Sequence, residues 1–169
     1  MALDAYVKAT GEKQGLFKGG VIQKGREGLI QVISCSHSCE SPRDPASGQA
    51  TGKRRHDPWT FLAAYDQSIT MWYQALCMNE SLKEVIFSFY SPNVLGKAGG
   101  SGVETLSYEI KLTNAFVSKV EFQMLNNKNP ELNRYENQFR VSMVYQKIEW
   151  TWKAGGSKVA MDDWLEPGK

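Results

Sequence analysis

No stretch of this sequence holds an uncharged apolar run near the ~18 residues that a membrane-spanning helix requires. Helical insertion into a bilayer is therefore not expected. The opening residues, "MALDAYVKATGEK", lack the apolar centre of a secretory signal and carry charges at Asp4 and Lys8. The chain is expected to be cytoplasmic when made and to leave the cell, if it does, without a signal peptide. Cysteine is scarce and odd in number, three in 169 residues, which does not suggest a disulfide framework. Charge of one sign is also lacking: 20 basic and 18 acidic residues leave a net +2. A dedicated polyanion binder usually shows a strongly basic face.

Catalytic and metal-binding patterns are equally thin. Cys35, His37 and Cys39 alternate onto one side of a predicted strand. Four strand residues separate the two cysteines by roughly 13 Å, too far for a shared zinc or a disulfide. Only His56 and Cys77 remain as further ligands. Cys77 falls in a helical pattern and reads as a small buried hydrophobe. The glycine-rich "GKAGGSG" at 96–102 fits no phosphate-cradling spacing and reads as a hairpin connection. "SHS" lacks the flanking glycines of a nucleophile elbow. Asp162 and Asp163 are adjacent near the chain end and read as a solvated pair rather than an acid and base. No cofactor, metal or catalytic site is expected.

What is present is strand rhythm. Leu3, Ala5, Val7 and Ala9 alternate with polar neighbours, and residues 29–39 and 59–64 read as further strands. Ile69, Trp72, Tyr73 and Leu76 change the period to that of one amphipathic helix over 68–79, with Asp66 or Ser68 as its cap. Alternation returns at Val85, Phe87 and Phe89, at Leu106–Leu112, and at Phe116–Met124, with a break marked by Asn114. A polar loop occupies 126–133. The final strand, 139–152, changes parity: Phe139, Val141, Met143 and Tyr145 lie on one side, Ile148, Trp150 and Trp152 on the other. Either a β-bulge near Gln146–Lys147 restores the register, or Ile148, Trp150 and Trp152 face another subunit. The fold class is mainly β: a two-sheet β-barrel with one flanking α-helix and a long extended loop. A single domain is expected over 1–160, followed by a flexible tail, 161–169. At this length about 70% of the unfolded surface is buried, enough for a core.

The long loop, "SPRDPASGQATGKRRHDPWTF", has no apolar rhythm, and structureless loops beyond about 12–15 residues are uncommon. Together with "MALDAYVK", "QKGREG", the Asp66-x-Ser68 helix start and "YQKIEWTW", it resembles the haemolysin-coregulated protein (Hcp) family, the tube proteins of the bacterial type VI secretion system. The resemblance runs in order along nearly the whole chain; the cysteines of "CSHSC" are not part of it. It implies a compact barrel and a homohexameric ring. It further implies rings stacked into a tube inside a contractile sheath, a spike at the tip, export of the tube, and small effectors held in the lumen. With Trp164–Lys169 leaving no room for a fused domain, the chain reads as the bare tube unit.

On that reading the loop extends from the barrel to touch neighbouring protomers and the next ring. Its candidate contact residues are Pro42, Arg43, Asp44, Lys53, Arg54, Arg55, His56 and Asp57. Pro42, Pro45 and Pro58 stiffen it, and its mixed charges suit pairing with a neighbour. The polar parities at Glu109 and Lys111, and at Lys119, Glu121 and Gln123, are candidate exposed or lumen surfaces. An alternative is a small β-barrel nucleic-acid-binding protein, with Lys53–His56 as basic patch and Trp59 and Phe61 as stacking platform. The near-neutral loop argues against it. A small hydrolase ranks last, for lack of residues.

Overall fold

The computed structural model describes residues 4–92 and 104–165. The expected glycine hairpin at 96–102 and Leu3 lie outside them. In chain order the elements are β1 (Ala5–Gly11), β2 (Gly15–Leu16), β3 (Ile30–Ser36), β4 (Cys39–Glu40), β5 (Arg55–His56) and β6 (Trp59–Ala64). The helix α1 (Ile69–Cys77) follows, then β7 (Ser81–Pro92), β8 (Glu104–Gln123), β9 (Gln138–Trp152) and β10 (Lys158–Asp163).

Every strand pairing is antiparallel. The path β9-β6-β3-β1-β7-β8 returns to β9 through the β8–β9 ladder, so six strands close into a barrel. Closure removes the barrel's own edges. Inward residues alternate as the sequence predicts: Val7 and Ala9 from β1, Phe61 and Ala63 from β6, Val85 and Phe87 from β7, and Val141 and Met143 from β9 are all buried. The helix packs against β8 and buries Ile69, Trp72 and Ala75. Trp72 is fully buried, edge-on to Phe17 at 4.9 Å and to Phe61 at 5.4 Å. Ser68 occupies the N-cap position but makes no side-chain cap bond. Asp66 braces this turn instead, accepting from the Ser68 amide (2.9 Å) and hydroxyl (2.5 Å) and from the Gly20 amide (2.9 Å). Cys77 departs from expectation: it is exposed, because the inward face of this short helix is set by Ile69, Trp72 and Ala75, with Met71 and Leu76 packing partly beside them.

The parity change of β9 has a local cause. Tyr145 and Ile148 are both buried, and β8 changes sides at the same level, from Leu112 to Ala115. Register is kept through Thr113↔Lys147 and Ala115↔Tyr145, so neither strand carries an extra residue there. Asn114 instead adopts φ 50°, and its amide donates to Gln146 Oε1 at 2.8 Å. The expected one-sided bulge at Gln146–Lys147 is thus a shared switch in two strands. A true register shift lies further along, between Val117 and Lys119. The switch turns Ile148 into the core with no exposure at all, so this residue is not on a free surface.

Two buried charges tie the loops to the barrel. Glu80 accepts from the amides of Lys13 (2.6 Å) and Gln14 (2.8 Å) and from the Gln14 side chain (2.8 Å), fixing the β1–β2 turn. Burial disfavours its charge, but these bonds from Gln14 and Lys13 outweigh it and hold its carboxyl below the ordinary value. Arg26 of the "QKGREG" segment sits over the Tyr90 ring (3.7 Å) and the Tyr6 ring (4.8 Å) and pairs with Glu104 at 2.8 Å. Close by, Gly19 passes so near Leu29 that a Cβ would lie 2.1 Å from its carbonyl oxygen.

Trp72→Ala is expected to cost about 3–5 kcal/mol, read as a shift in the denaturant midpoint. Asn114→Ala should cost about 1–2 kcal/mol and Asn114→Gly less, because glycine keeps the left-handed backbone and both variants lose only the solvent-exposed bond to Gln146. Glu80→Gln should cost about 1–3 kcal/mol at neutral pH. Because the folded carboxyl titrates low, its contribution is present above the ordinary carboxyl value and is lost as pH falls. The parent and Glu80→Gln unfolding curves should therefore converge in acid.

Candidate assembly site

The segment between β3 and β6 is not an irregular loop but a folded arm. β4 and β5 pair through Cys39↔His56 and Glu40↔Arg55. The Asp57 amide donates to Ser38 O and the Thr51 amide to Pro42 O, both at 3.0 Å. Arg43 bridges to Ala50, and the tip turns through Gly48 at φ 68°. Asp44 organises that tip, accepting from Ser47 Oγ (2.6 Å) and the Ala46 amide (3.0 Å), and these bonds hold its carboxyl below the ordinary range. Arg43 donates to the Gly48 carbonyl at 3.0 Å. A peptide otherwise surrounded by water thus has its backbone groups paired within itself.

The base of the arm is clamped to the barrel by β10. This strand pairs with β9 through Lys158↔Trp152 to Asp163↔Lys147, on the flank where β6 has ended. Order therefore continues past residue 160, through Asp163, where the sequence reading begins a flexible tail. Asp162 is not solvated. Its carboxylate forms an ion pair with Arg54 and accepts from His56 Nε2 at 2.6 Å. Burial disfavours the Asp162 charge, yet Arg54 and His56 outweigh it and hold the carboxyl below its ordinary value. Arg54 also donates to the Asp163 carbonyl at 3.2 Å. The His56 imidazole is buried, stacked beside Trp150 with ring centres 6.3 Å apart, and covered by Trp164 at 5.1 Å. Tyr145 reaches it from β9, its hydroxyl 2.9 Å from His56 Nδ1 and 2.6 Å from His37 Nε2. Burial pushes the Tyr145 phenol well above its usual value, so it stays protonated. Cys39 lies 3.4 Å from His56, but burial and the charge of Asp162 raise its thiol against the weaker pull of Arg54. It is an unactivated thiol, not a nucleophile.

The eight predicted arm residues therefore divide. Arg54 and His56 turn inward onto Asp162. Arg55 pairs along the arm with Glu40 (3.4 Å) and Asp57 (3.5 Å), and Asp57 also accepts from Ser38. Pro42, Arg43 and Lys53 are exposed, and neither Arg43 nor Lys53 has an ion pair among the described residues. Of the final-strand trio, Ile148 is internal, Trp150 packs partly against the core and Trp152 is half exposed. Trp59 and Phe61 are buried at 3% and 1% exposure, so they cannot stack nucleotide bases. That removes the aromatic half of the nucleic-acid reading.

The polar parities of β8 and β9 carry ion pairs of mixed sign: Lys111–Glu84 at 3.2 Å, Lys153–Glu109 at 3.0 Å, Lys147–Glu149 at 3.4 Å and Lys119–Glu121 at 2.8 Å. At the margin of this surface β10 presents Val159 and Met161 to solvent, and its second edge is unpaired among the described residues. Sequence reasoning missed β10 as a structural element. Its signal was faint: apolar Val159 and Met161 alternate with Ala160 and Asp162 over too few residues to stand out.

The architecture is a closed six-strand barrel with one short helix and an internally paired arm. The Hcp model of type VI secretion system effectors matches residues 6–152. A protein of Pseudomonas aeruginosa PAO1 described as a major exported protein is 30% identical over 176 aligned positions, covering 99% of this chain and 98% of the relative. A crystal structure of an Hcp protein superposes with a TM-score of 0.85 at 28% identity, covering 98% of this chain and all of the other. An engineered form of Hcp1 from E. coli EAEC 042 gives a TM-score of 0.79 at 29% identity, covering 97% of this chain and all of the other. The chain belongs to the Hcp family, the secreted, non-enzymatic tube proteins of the type VI secretion system.

Asp162→Ala should leave Arg54 and His56 unpaired and loosen the arm at its base. Trypsin is expected to cut after Lys53, Arg54 or Arg55 at least about tenfold faster than in the parent, with the barrel's unfolding midpoint little changed.

Proposed function

We propose that this chain forms homohexameric rings that stack into a tube, are exported with it, and hold small effectors in the lumen. The contractile sheath and the tip spike are the further partners this reading requires. The observation that carries it is the arm. It is internally bonded and clamped at its base, yet leaves Arg43 and Lys53 exposed without ion-pair partners among the described residues. An ordered projection loses little entropy when it docks. The β10 edge beside Val159 and Met161, unpaired among the described residues, is a second surface that association would cover. A head-to-tail contact that closes gives a ring. The charge-balanced surface of β8 and β9 suits a wall past which cargo of either sign can move, since it sets up no large field of one sign.

Light scattering on the purified chain should report a hexamer mass, and electron microscopy should show rings. A monomer at every concentration would overturn the reading. Reversing both arm charges, Arg43→Glu with Lys53→Glu, should weaken the arm's contact about tenfold or more. Sedimentation across protein concentration reads that loss, while the unfolding midpoint of the barrel stays unchanged.

A further inference from the structure

The base of the arm holds more titratable groups than a clamp needs. Tyr145 Oη has two hydrogen-bond partners among the described residues, His37 Nε2 at 2.6 Å and His56 Nδ1 at 2.9 Å. His56 Nε2 must donate to the Asp162 carboxylate, 2.6 Å away. The phenol has a single hydrogen. If His56 is neutral, its Nδ1 accepts that hydrogen and His37 donates to the phenol oxygen. If His56 is charged, its Nδ1–H donates to the phenol, whose hydrogen passes to His37 Nε2. If His37 alone is charged, it donates to the phenol, whose hydrogen goes to His56. With zero or one added proton the phenol, both nitrogens of His56 and Nε2 of His37 are all bonded.

Two added protons cannot be accommodated. Both imidazoles would then donate to the phenol oxygen, and the phenolic hydrogen would have no acceptor in the cluster. Two cationic rings would also stand with centres 5.6 Å apart. Asp162, which faces His56, already pairs with Arg54, and Asp57, whose charge acts on His37, already takes Ser38 and Arg55. Cys39 beside His56 is a neutral thiol, and Trp59 and Trp150 cover His37 without offering charge.

We propose that the His37–Tyr145–His56–Asp162 chain is a proton-operated latch on the arm: it stays closed with at most one added proton and releases the arm's base when a second binds. Burial, then the charge of His56, keeps the His37 imidazole below its ordinary value, with Asp57 pulling the other way. Its folded value is lowered, so its contribution to closure is complete above the free imidazole value of about 6.5 and is lost as pH falls below it. Release frees Cys39 and His56, the pair that begins the arm's ribbon. Arm posture would thus respond to mild acid while the barrel core, which contains no histidine, would not. The latch lies within one chain and does not depend on the proposed ring.

Hydrogen–deuterium exchange on the full chain, corrected for intrinsic rates, tests it. Between about pH 7.5 and about pH 5.5, protection of peptides spanning 37–57 should fall about tenfold, as expected when one proton binds only the open form a unit below the free imidazole value. Peptides of β7 should keep their protection. His37→Gln retains a bond to Tyr145 but takes no proton, and should abolish the pH step. An unchanged step in His37→Gln, or no step in the parent, would overturn the latch. NMR titration of the two imidazoles in the parent is the second measurement, should His37→Gln fold poorly. Arm resonances shifting together with His37, below about 6.5, support the latch, and two independent ordinary titrations overturn it. Light scattering at both pH values separates the latch from assembly: protection lost only in step with assembled mass would also count against it.

Discussion

The ladder between β8 and β9 is the interaction on which the rest depends. Without it the sheet would be an open ribbon whose first and last strands expose unpaired backbone. With it, six strands enclose a core of alternating aliphatic and aromatic side chains, and the helix packs against the strand that closes it. The two strands are long, 20 and 15 residues, and one flank of β9 serves two neighbours in succession. β9 pairs with β6 along its first half and with β10 along its second. Closure and the anchoring of the arm are therefore consequences of one strand's length.

The arm depends on this in turn. β10 follows the flank of β9 that β6 leaves free, and so brings Asp162 to Arg54 and His56. A polar segment far from the chain end is held by a carboxylate near it. The clamp removes Arg54 and His56 from the arm groups available to a partner and leaves the tip, with Arg43 and Lys53, outward. On the proposed ring, a projection whose direction is already set would dock with little further loss of entropy.

Much of this was legible in the sequence where periodicity speaks. The six barrel strands and the single helix around Trp72 follow from which positions are apolar. The parity change was legible as a conflict but not in its solution, because nothing in one strand's pattern reveals that its partner switches sides at the same level. The choice between a bulge and a subunit contact at Ile148 stayed open for that reason. Cys77 was read as buried because its apolar character was weighed without the helix's true inward face. Asp162 was the largest miss. Two aspartates at a chain end have the composition of a solvated tail, and only the pairing of a six-residue strand brings one of them beneath an arginine and a histidine. The arm's own hydrogen bonds were hidden for the same reason: they join backbone groups, which composition does not report.

The shared switch at Asn114 and Gln146 couples two distant parts of the gene. Deleting one codon on either side of it would turn every side chain beyond that point inside out in one strand, while its partner kept its old orientation. Length variation in these strands must then arise as matched pairs, or be confined to the connection between them. The turn from 124 to 137 and the stretch after Trp152 are where drift in length would be tolerated, and the two walls of the switch should keep a constant spacing however far the residues themselves diverge.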